Sequence, residues 1–317
     1  MSLGQVILIT GPTAAGKTEL AMKLYDRLGG AKNAHLVSVD SAMVYRGLDI
    51  GTAKPQGELL AQYPHSLIDV REPDEHYSAA DFVKDADRIV RTSILENRTP
   101  ILVGGTMLYI KCFRDGISNL PEKNEDIRKK LEEKIEIRGL DAMHQELEAS
   151  DPEAARNIHP HNRQRIMRAM EVFLISGRKI SELWKEQPSR TLAERLGQKL
   201  SIFAVLPEEK VDLEQRIEDR FASMLDLGLL EELTMLRQNY RLDLSCPSMR
   251  TVGYRQAWQH LEGMIDRAQF VADSIRATKL LAKKQMTWLR AWKSLETIHI
   301  GEARKLWERV ERILTSI

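Results

Sequence analysis

Gly11-Pro12-Thr13-Ala14-Ala15-Gly16-Lys17-Thr18 follows directly on the apolar run Val6-Ile7-Leu8-Ile9. The octet fits G-x-x-x-x-G-K-[ST], the loop that cradles phosphate groups. Gly11 and Gly16 admit backbone dihedrals closed to other residues, so successive N–H groups can turn inward around an anion. Lys17 adds a point charge for terminal phosphoryl oxygens, and the Thr18 hydroxyl is placed to ligate Mg2+. A helix expected from about Thr18 to Leu28 directs its positive end at the same anion. By chance such a pattern arises in roughly one chain per hundred of this length, and a strand before it with a helix after it reduces that further. The stretch predicts an α/β fold that binds a phosphorylated ligand.

Outward from the loop, the whole chain sets limits. Its 317 residues can bury a large core in one or two domains. Hydrophobic residues at 43% and charged residues at 29% exclude a disordered chain. No apolar run reaches the length that spans a bilayer, so no membrane association is expected. The N-terminus reads as a buried strand and not as a signal peptide. Cys112 and Cys246 lack the spacing of a structural zinc site, and a cytoplasmic location is expected. A net charge of +1 gives no general affinity for nucleic acid, so any such binding must rest on local basic clusters.

Residues 5–110 alternate strand and helix patterns, as in a doubly wound parallel sheet. A short strand over 35–39 delivers Asp40 at its carboxyl end, where open α/β sheets place ligands. Residues 40–55 are too punctuated by glycine and proline for a regular helix. Strands are expected at 66–70 and 101–103, the latter leading into Gly104-Gly105-Thr106 at the same sheet edge as the phosphate loop. Between them, Ser78 caps a helix running to about Asn97, with Phe82, Ala86, Ile89 and Val90 on its apolar face. From about Asp115 the alternation stops. Helical patterns cover 121–138, 140–149 and 162–176, broken by Asp151-Pro152 and His159-Pro160. After the turn-like Gln187-Pro188-Ser189, strand character returns over 200–205. The remainder reads as helical, over 212–225, 229–238, 254–261 and 266–292. The expected organisation is a phosphate-loop NTPase-like parallel-sheet core over 1–115 and 200–317, ending in helices, with a helical insertion domain over 116–199.

Several constellations around this core could carry chemistry. Asp40 at a strand end suits a metal-associated carboxylate or a general base acting on a second substrate. Arg216 and Arg220, four residues apart in a helix, put both guanidiniums on one face. That pair reads as a diphosphate clamp or, with Glu218 and Asp219 beside it, as a solvated salt-bridged face. Arg163-Gln164-Arg165-Ile166-Met167-Arg168 opens a helix of the insertion. No acidic residue lies between Ser274 and Leu295, where Arg276, Lys279, Lys283 and Arg290 fall near one helical stripe. Such a run is a solvated face or, beside a phosphate-binding core, a seat for an anionic polymer.

Five stretches carry a family resemblance: the phosphate loop at 11–18, Asp-Ser-Ala-Met-Val-Tyr-Arg-Gly-Leu-Asp-Ile-Gly-Thr-Ala-Lys-Pro at 40–55, Tyr-Ser-Ala-Ala-Asp-Phe at 77–82, Val-Gly-Gly-Thr-Met-Leu-Tyr at 103–109 and Arg-Thr-Val-Gly-Tyr-Arg-Gln at 250–256. Across essentially its whole length the chain resembles the bacterial tRNA dimethylallyltransferases, also called tRNA isopentenyltransferases. Ala15 stands where these often carry Ser, and Met43 where many carry Gln. The resemblance implies transfer of a dimethylallyl group from dimethylallyl diphosphate to the exocyclic N6 amine of the adenosine adjacent 3′ to the tRNA anticodon. Diphosphate is the leaving group. It implies that Gly11, Pro12, Thr13, Ala14, Ala15, Gly16, Lys17 and Thr18 hold the diphosphate, with Mg2+ on Thr18. Asp40 matches the base that takes the amine proton, and Arg220 the arginine on the diphosphate. Asp40, Ser41, Ala42, Met43, Thr106 and Arg128 match positions that touch tRNA. So do Gln164, Arg165, Ile166, Met167 and Arg168, and likewise Arg250, Thr251, Val252, Gly253, Tyr254 and Arg255. A monomer acting on the anticodon stem–loop is expected. Two alternatives share the loop: a phosphotransferase using ATP, and an adenylate isopentenyltransferase acting on free nucleotide. The basic insertion and the basic helix favour tRNA over a free nucleotide.

Overall fold

The computed structural model describes residues 4–117, 120–186, 190–293, 295–299 and 301–315; the turn expected at 187–189 lies outside them. The chain forms two compact units, Met1–Arg114 with Thr191–Ile317, and Asp115–Arg190.

In the first unit, β1 (Gly4–Thr10) buries Val6 and Leu8 in one core and Ile7 and Ile9 in another. A strand covered on both faces needs apolar residues in succession, which is why 6–9 carries no polar side chain. There follow α1 (Lys17–Arg27), β2 (Ala34–Val39), α2 (Gly57–Gln62), β3 (His65–Ser66), α3 (Ala79–Leu95), β4 (Thr99–Gly104) and α4 (Met107–Asp115). Ser78 and Asp81 form a reciprocal capping box at the start of α3, and Phe82, Ala86 and Val90 are fully buried. β3 is shorter than the strand expected over 66–70. Leu67 and Asp69 take φ of +65° and +54°, which ends the pleat. The chain then turns back, and Arg71 meets Tyr45 in an isolated parallel bridge.

The second unit holds α5 (Glu125–Arg138), α6 (Leu140–Ser150), α7 (Pro152–Asn157), α8 (Arg163–Ser176) and α9 (Ile180–Glu186). The helix expected from 121 begins only after Asn124, whose side chain caps the Ile127 N–H at 3.0 Å. Asp151-Pro152 ends α6 but also opens α7. Asp151 caps the Ala154 N–H at 3.0 Å, and Pro152 occupies the first turn, where no N–H is needed. Leu131, Met143, Leu147, Ile166 and Val172 form this unit's core.

The chain re-enters the first unit at Thr191, earlier than the boundary expected at 200, because Leu192 is buried in the sheet core and Arg195 pairs with Asp87 at 2.9 Å. The elements are α10 (Leu192–Leu196), β5 (Gln198–Leu206), α11 (Lys210–Asp226), α12 (Leu229–Asn239), α13 (Tyr254–Leu261), α14 (Arg267–Ala291), β6 (Glu296–His299) and α15 (Ala303–Thr315). The segment after 292 is thus not all helical. β6 pairs with β5, and Leu306 and Val310 of α15 cover the face that Ile7 and Ile9 present.

The six strands are all parallel in the order β3-β2-β4-β1-β5-β6. Ile9 aligns with both Val103 and Phe203, and Val39 aligns with Gly104. The register therefore brings the carboxyl ends of β1, β2 and β4 to one sheet edge. Phosphate loop, Asp40 turn and Gly104-Gly105 exit all leave from that edge.

Candidate active site

The phosphate loop owes its path to local crowding. A Cβ on Gly11, at φ +151°, would lie 2.3 Å from the Val205 carbonyl oxygen, so only glycine fits beside β5. Gly16 takes φ +74°, as expected, but so does Ala14 at +61°, a conformation that a residue with a Cβ adopts only under constraint. Thr13, Ala14, Lys17 and Thr18 line a cavity of about 500 Å3. Gly11, Pro12 and Ala15 are buried and shape the loop.

Lys17, Asp40 and Arg220 line this cavity, together with Arg250 and Lys284. Lys17 Nζ donates to the Pro12 carbonyl at 2.6 Å. Burial and the nearby Arg220 guanidinium lower its pKa to about 8, with Asp40 opposing them. Burial likewise lowers Arg220, and Asp40 again works against it. Arg220 Nη2 donates to the Thr52 carbonyl at 2.9 Å, which aims the guanidinium. Asp40 Oδ1 accepts from the Ala42 and Met43 amides at 2.8 and 3.2 Å, closing a tight turn at the end of β2. The Ser41 amide donates to Thr106 Oγ1 at 3.0 Å, tying that turn to the β4 exit. Of the arginine pair on α11, only Arg220 lines the cavity; Arg216 is exposed outside it.

The same helix adds an apolar wall. Ile217, Phe221 and Met224 line the cavity and are almost wholly buried, and Leu281 and Trp288 of α14 join them. This is the part of the site that sequence reasoning missed. Its signal, apolar residues at 217, 221 and 224, is the ordinary pattern of any helix facing a core.

The irregular 40–55 segment is held by buried polar groups. Lys54 Nζ meets Asp49 and Asp69, each at 2.6 Å, and the Tyr45 carbonyl at 2.7 Å. Glu232 accepts from the amides of Asp49 and Ile50 at 3.1 and 2.8 Å. Tyr254 is fully buried, donates its hydroxyl to Glu232 and accepts from the Gly51 amide at 3.1 Å. Arg250, Thr251, Val252 and Gly253 line the cavity, whereas Tyr254 supports the segment from behind and Arg255 is exposed elsewhere.

In the second unit, Gln164 and Arg165 are exposed at the start of α8, while Ile166 and Met167 are buried in that unit's core. Arg128 Nε and Arg168 Nη1 donate to the fully buried Glu171 at 2.8 and 2.7 Å. Burial alone would raise the Glu171 carboxyl, but hydrogen bonds from both arginines hold it below its usual range. On α14 the expected basic stripe is partly neutralised. Lys279 bridges Glu214 and Glu218 of α11 at 3.1 and 2.8 Å, and Arg276 pairs with Asp273 at 2.6 Å. Lys284, outside that stripe, is the lysine of α14 that lines the cavity.

Comparison with known proteins agrees with this arrangement. A family profile described as IPP transferase matches residues 43–292, which span the Asp40 turn's end, the second unit and all of α14. The chain belongs to the IPP transferase family. As an IPP transferase it is an enzyme, a prenyltransferase. It is 48% identical over 97% of its length to a tRNA dimethylallyltransferase of Chromohalobacter salexigens, 96% of which is covered. The solved tRNA isopentenylpyrophosphate transferase of Bacillus halodurans matches with a TM-score of 0.68 at 31% identity, covering 98% of this chain and 97% of the other. A eukaryotic dimethylallyltransferase acting on tRNA shares the fold, with a TM-score of 0.73 at 21% identity over 93% of this chain and 74% of that one. No helix among the described residues of this IPP transferase is long and apolar enough to cross a membrane.

Proposed function

We propose that the protein transfers a dimethylallyl group from dimethylallyl diphosphate to the exocyclic N6 amine of the adenosine adjacent 3′ to a tRNA anticodon, releasing diphosphate. The observation that carries this reading is one cavity holding Lys17, Arg220 and Asp40 beside the apolar wall of Ile217, Phe221 and Met224. The cations suit a diphosphate, the wall suits a five-carbon chain, and the carboxylate suits an amine nucleophile.

In the reaction, the allylic C–O bond breaks and its electron pair passes to the diphosphate. Lys17, Arg220 and the loop amides meet that developing charge in the cavity, where fixed cations and dipoles stabilise it. The amine nitrogen forms the new C–N bond. Asp40 takes the amine proton: Oδ1 is held by two backbone amides, and Oδ2 is assigned to the proton. The Thr18 hydroxyl beside Lys17 fits Mg2+, which uses few protein oxygens and completes its shell with substrate phosphates. Mg2+ bound there would neutralise charge on the leaving diphosphate.

The adenosine must leave its stack to reach this cavity. We assign its surroundings to Asp40, Ser41, Ala42, Met43, Thr106 and the 250–253 segment, all of which line the cavity. Exposed Gln164, Arg165 and Arg255 contact the RNA directly. Ile166, Met167 and Tyr254 act through packing, while Arg128 and Arg168 act through Glu171, which sets their guanidiniums. The deciding experiment incubates labelled dimethylallyl diphosphate with tRNA, AMP or neither. Label in tRNA without ATP consumption is expected. Label in AMP would make the enzyme an adenylate isopentenyltransferase, and stoichiometric ATP consumption would make it a phosphotransferase.

A further inference from the structure

Gln285 sits in the middle of α14, almost wholly buried, and both ends of its carboxamide are used. Oε1 accepts from the Thr13 amide of the phosphate loop at 2.8 Å. Nε2 donates to the Gly105 carbonyl at the exit of β4 at 2.9 Å. A buried amide in a helix interior is unfavourable unless satisfied, and here both partners are backbone groups of other elements. The two anchors leave neighbouring strands, β1 and β4, at the edge where the ligand loops begin. Gly105 is fitted to the same contact. A Cβ there would fall 2.6 Å from Gln285 Nε2 and 3.2 Å from the Gly11 carbonyl oxygen.

We propose that Gln285 is a positioning residue that fixes the diphosphate loop against the β4 exit. The inference rests on the prenyl-transfer reading for the identity of its ligand, inorganic or allylic diphosphate. One planar carboxamide sets the distance between Thr13 and Gly105, so the loop is formed before the anion arrives. A preformed loop avoids the ordering that binding would otherwise require. It also holds the amides where charge develops on the leaving group. Because Thr13 N–H is already engaged, the anion is met by the amides that follow it. Lys284 and Trp288, which flank Gln285 on α14, line the same cavity. The carboxamide therefore also links the helix facing the cavity to the loop facing the diphosphate.

The test uses the full-length protein and inorganic diphosphate, measured by calorimetry, so that it does not depend on the acceptor. Gln285→Met keeps length and apolar bulk but removes both hydrogen bonds. Its diphosphate Kd should rise by about tenfold, with kcat for prenyl transfer falling as well, while affinity for tRNA changes by less than about twofold. Gly105→Ala displaces the carboxamide from the other side and should give the same profile. The double variant Gln285→Ala/Gly105→Ala should be no worse than the poorer of Gln285→Ala and Gly105→Ala alone, because both act on one contact. Unchanged diphosphate affinity in folded Gln285→Met and Gly105→Ala proteins, or strictly multiplicative losses in the double variant, would overturn the proposal. Failure of the wild-type protein to bind diphosphate would instead overturn the prenyl-transfer reading beneath it.

Discussion

Replacing Lys17 by Met should make the ligand-free protein more stable while removing its function. Lys17 is half-buried beside Arg220, and desolvation and that guanidinium lower its pKa from 10.5 to about 8. That displacement corresponds to about 3 kcal/mol of destabilisation whenever the lysine is charged in both folded and unfolded chains. Loss of the hydrogen bond to the Pro12 carbonyl offsets about 1 kcal/mol of the gain. A net gain of about 2 kcal/mol should raise Tm by about 4 °C in a chain of this size. The sign follows from linkage. Below about pH 8 both states are protonated and the penalty is full; between about 8 and 10.5 the folded chain loses its proton first and the penalty fades. The advantage of Lys17→Met should therefore be largest near neutral pH and vanish above about pH 10.5. Thermal melts of both proteins across this range make the assay, with and without excess diphosphate. Ligand should raise the melting temperature of the wild type and leave the variant unmoved. A variant less stable than wild type near neutral pH, or an advantage that grows with pH, would refute the reasoning.

Asp40→Asn keeps an acceptor for the Ala42 and Met43 amides but cannot take a proton. Single-turnover rates should drop by about 10²–10⁴ with tRNA affinity retained, and a near-normal rate would remove Asp40 from the role of base. Glu171→Ala leaves two guanidiniums around a buried hole, and urea unfolding of the full chain should show a loss of about 3 kcal/mol. Since the Glu171 carboxyl lies below its usual 4.5, the stability it contributes is full above that pH and disappears as pH falls through its lower folded value; an acid titration that leaves wild type and Glu171→Ala separated by the same amount throughout would contradict this. For RNA, Lys284→Ala should shallow the dependence of log affinity on log salt by about 0.7–0.9, whereas Lys279→Ala should leave it unchanged because Glu214 and Glu218 already hold that charge. Equal slopes for the two variants would place the RNA away from this helix.

The core of the fold was legible because its central strands are apolar on both faces and α3 begins with a chemical cap. Val6 to Ile9, the Ser78 capping box and the glycines of the phosphate loop each leave a pattern that a short stretch of sequence displays. β6 was not legible for the opposite reason. It has four residues, of which only Ile298 is wholly buried, and it becomes a strand because β5 offers an edge. β3 fails after Ser66 because Leu67 and Asp69 are drawn into left-handed turns, which side-chain type alone does not reveal. Pro152 shows how a helix breaker also serves as a starter once an aspartate stands before it.

Charges in the site were harder to read than its glycines, and the reason is tertiary. Arg216 and Arg220 are equivalent by spacing, yet only Arg220 faces the cavity, because Ile217, Phe221 and Met224 decide which side of α11 is buried. Lys279 sits in a run of sequence without acids, yet its two acidic partners lie on α11, brought alongside by packing between the helices. A charge run thus reports the composition of one helix, whereas its availability depends on the neighbour. Gln285 is the limiting case. It is uncharged, belongs to no motif and carries no periodic signal, and its importance rests wholly on where Thr13 and Gly105 happen to be. Residues that touch a ligand directly are constrained by the ligand's chemistry and leave a recognisable pattern. Those that hold such residues in place answer only to geometry, and only the folded chain reveals them.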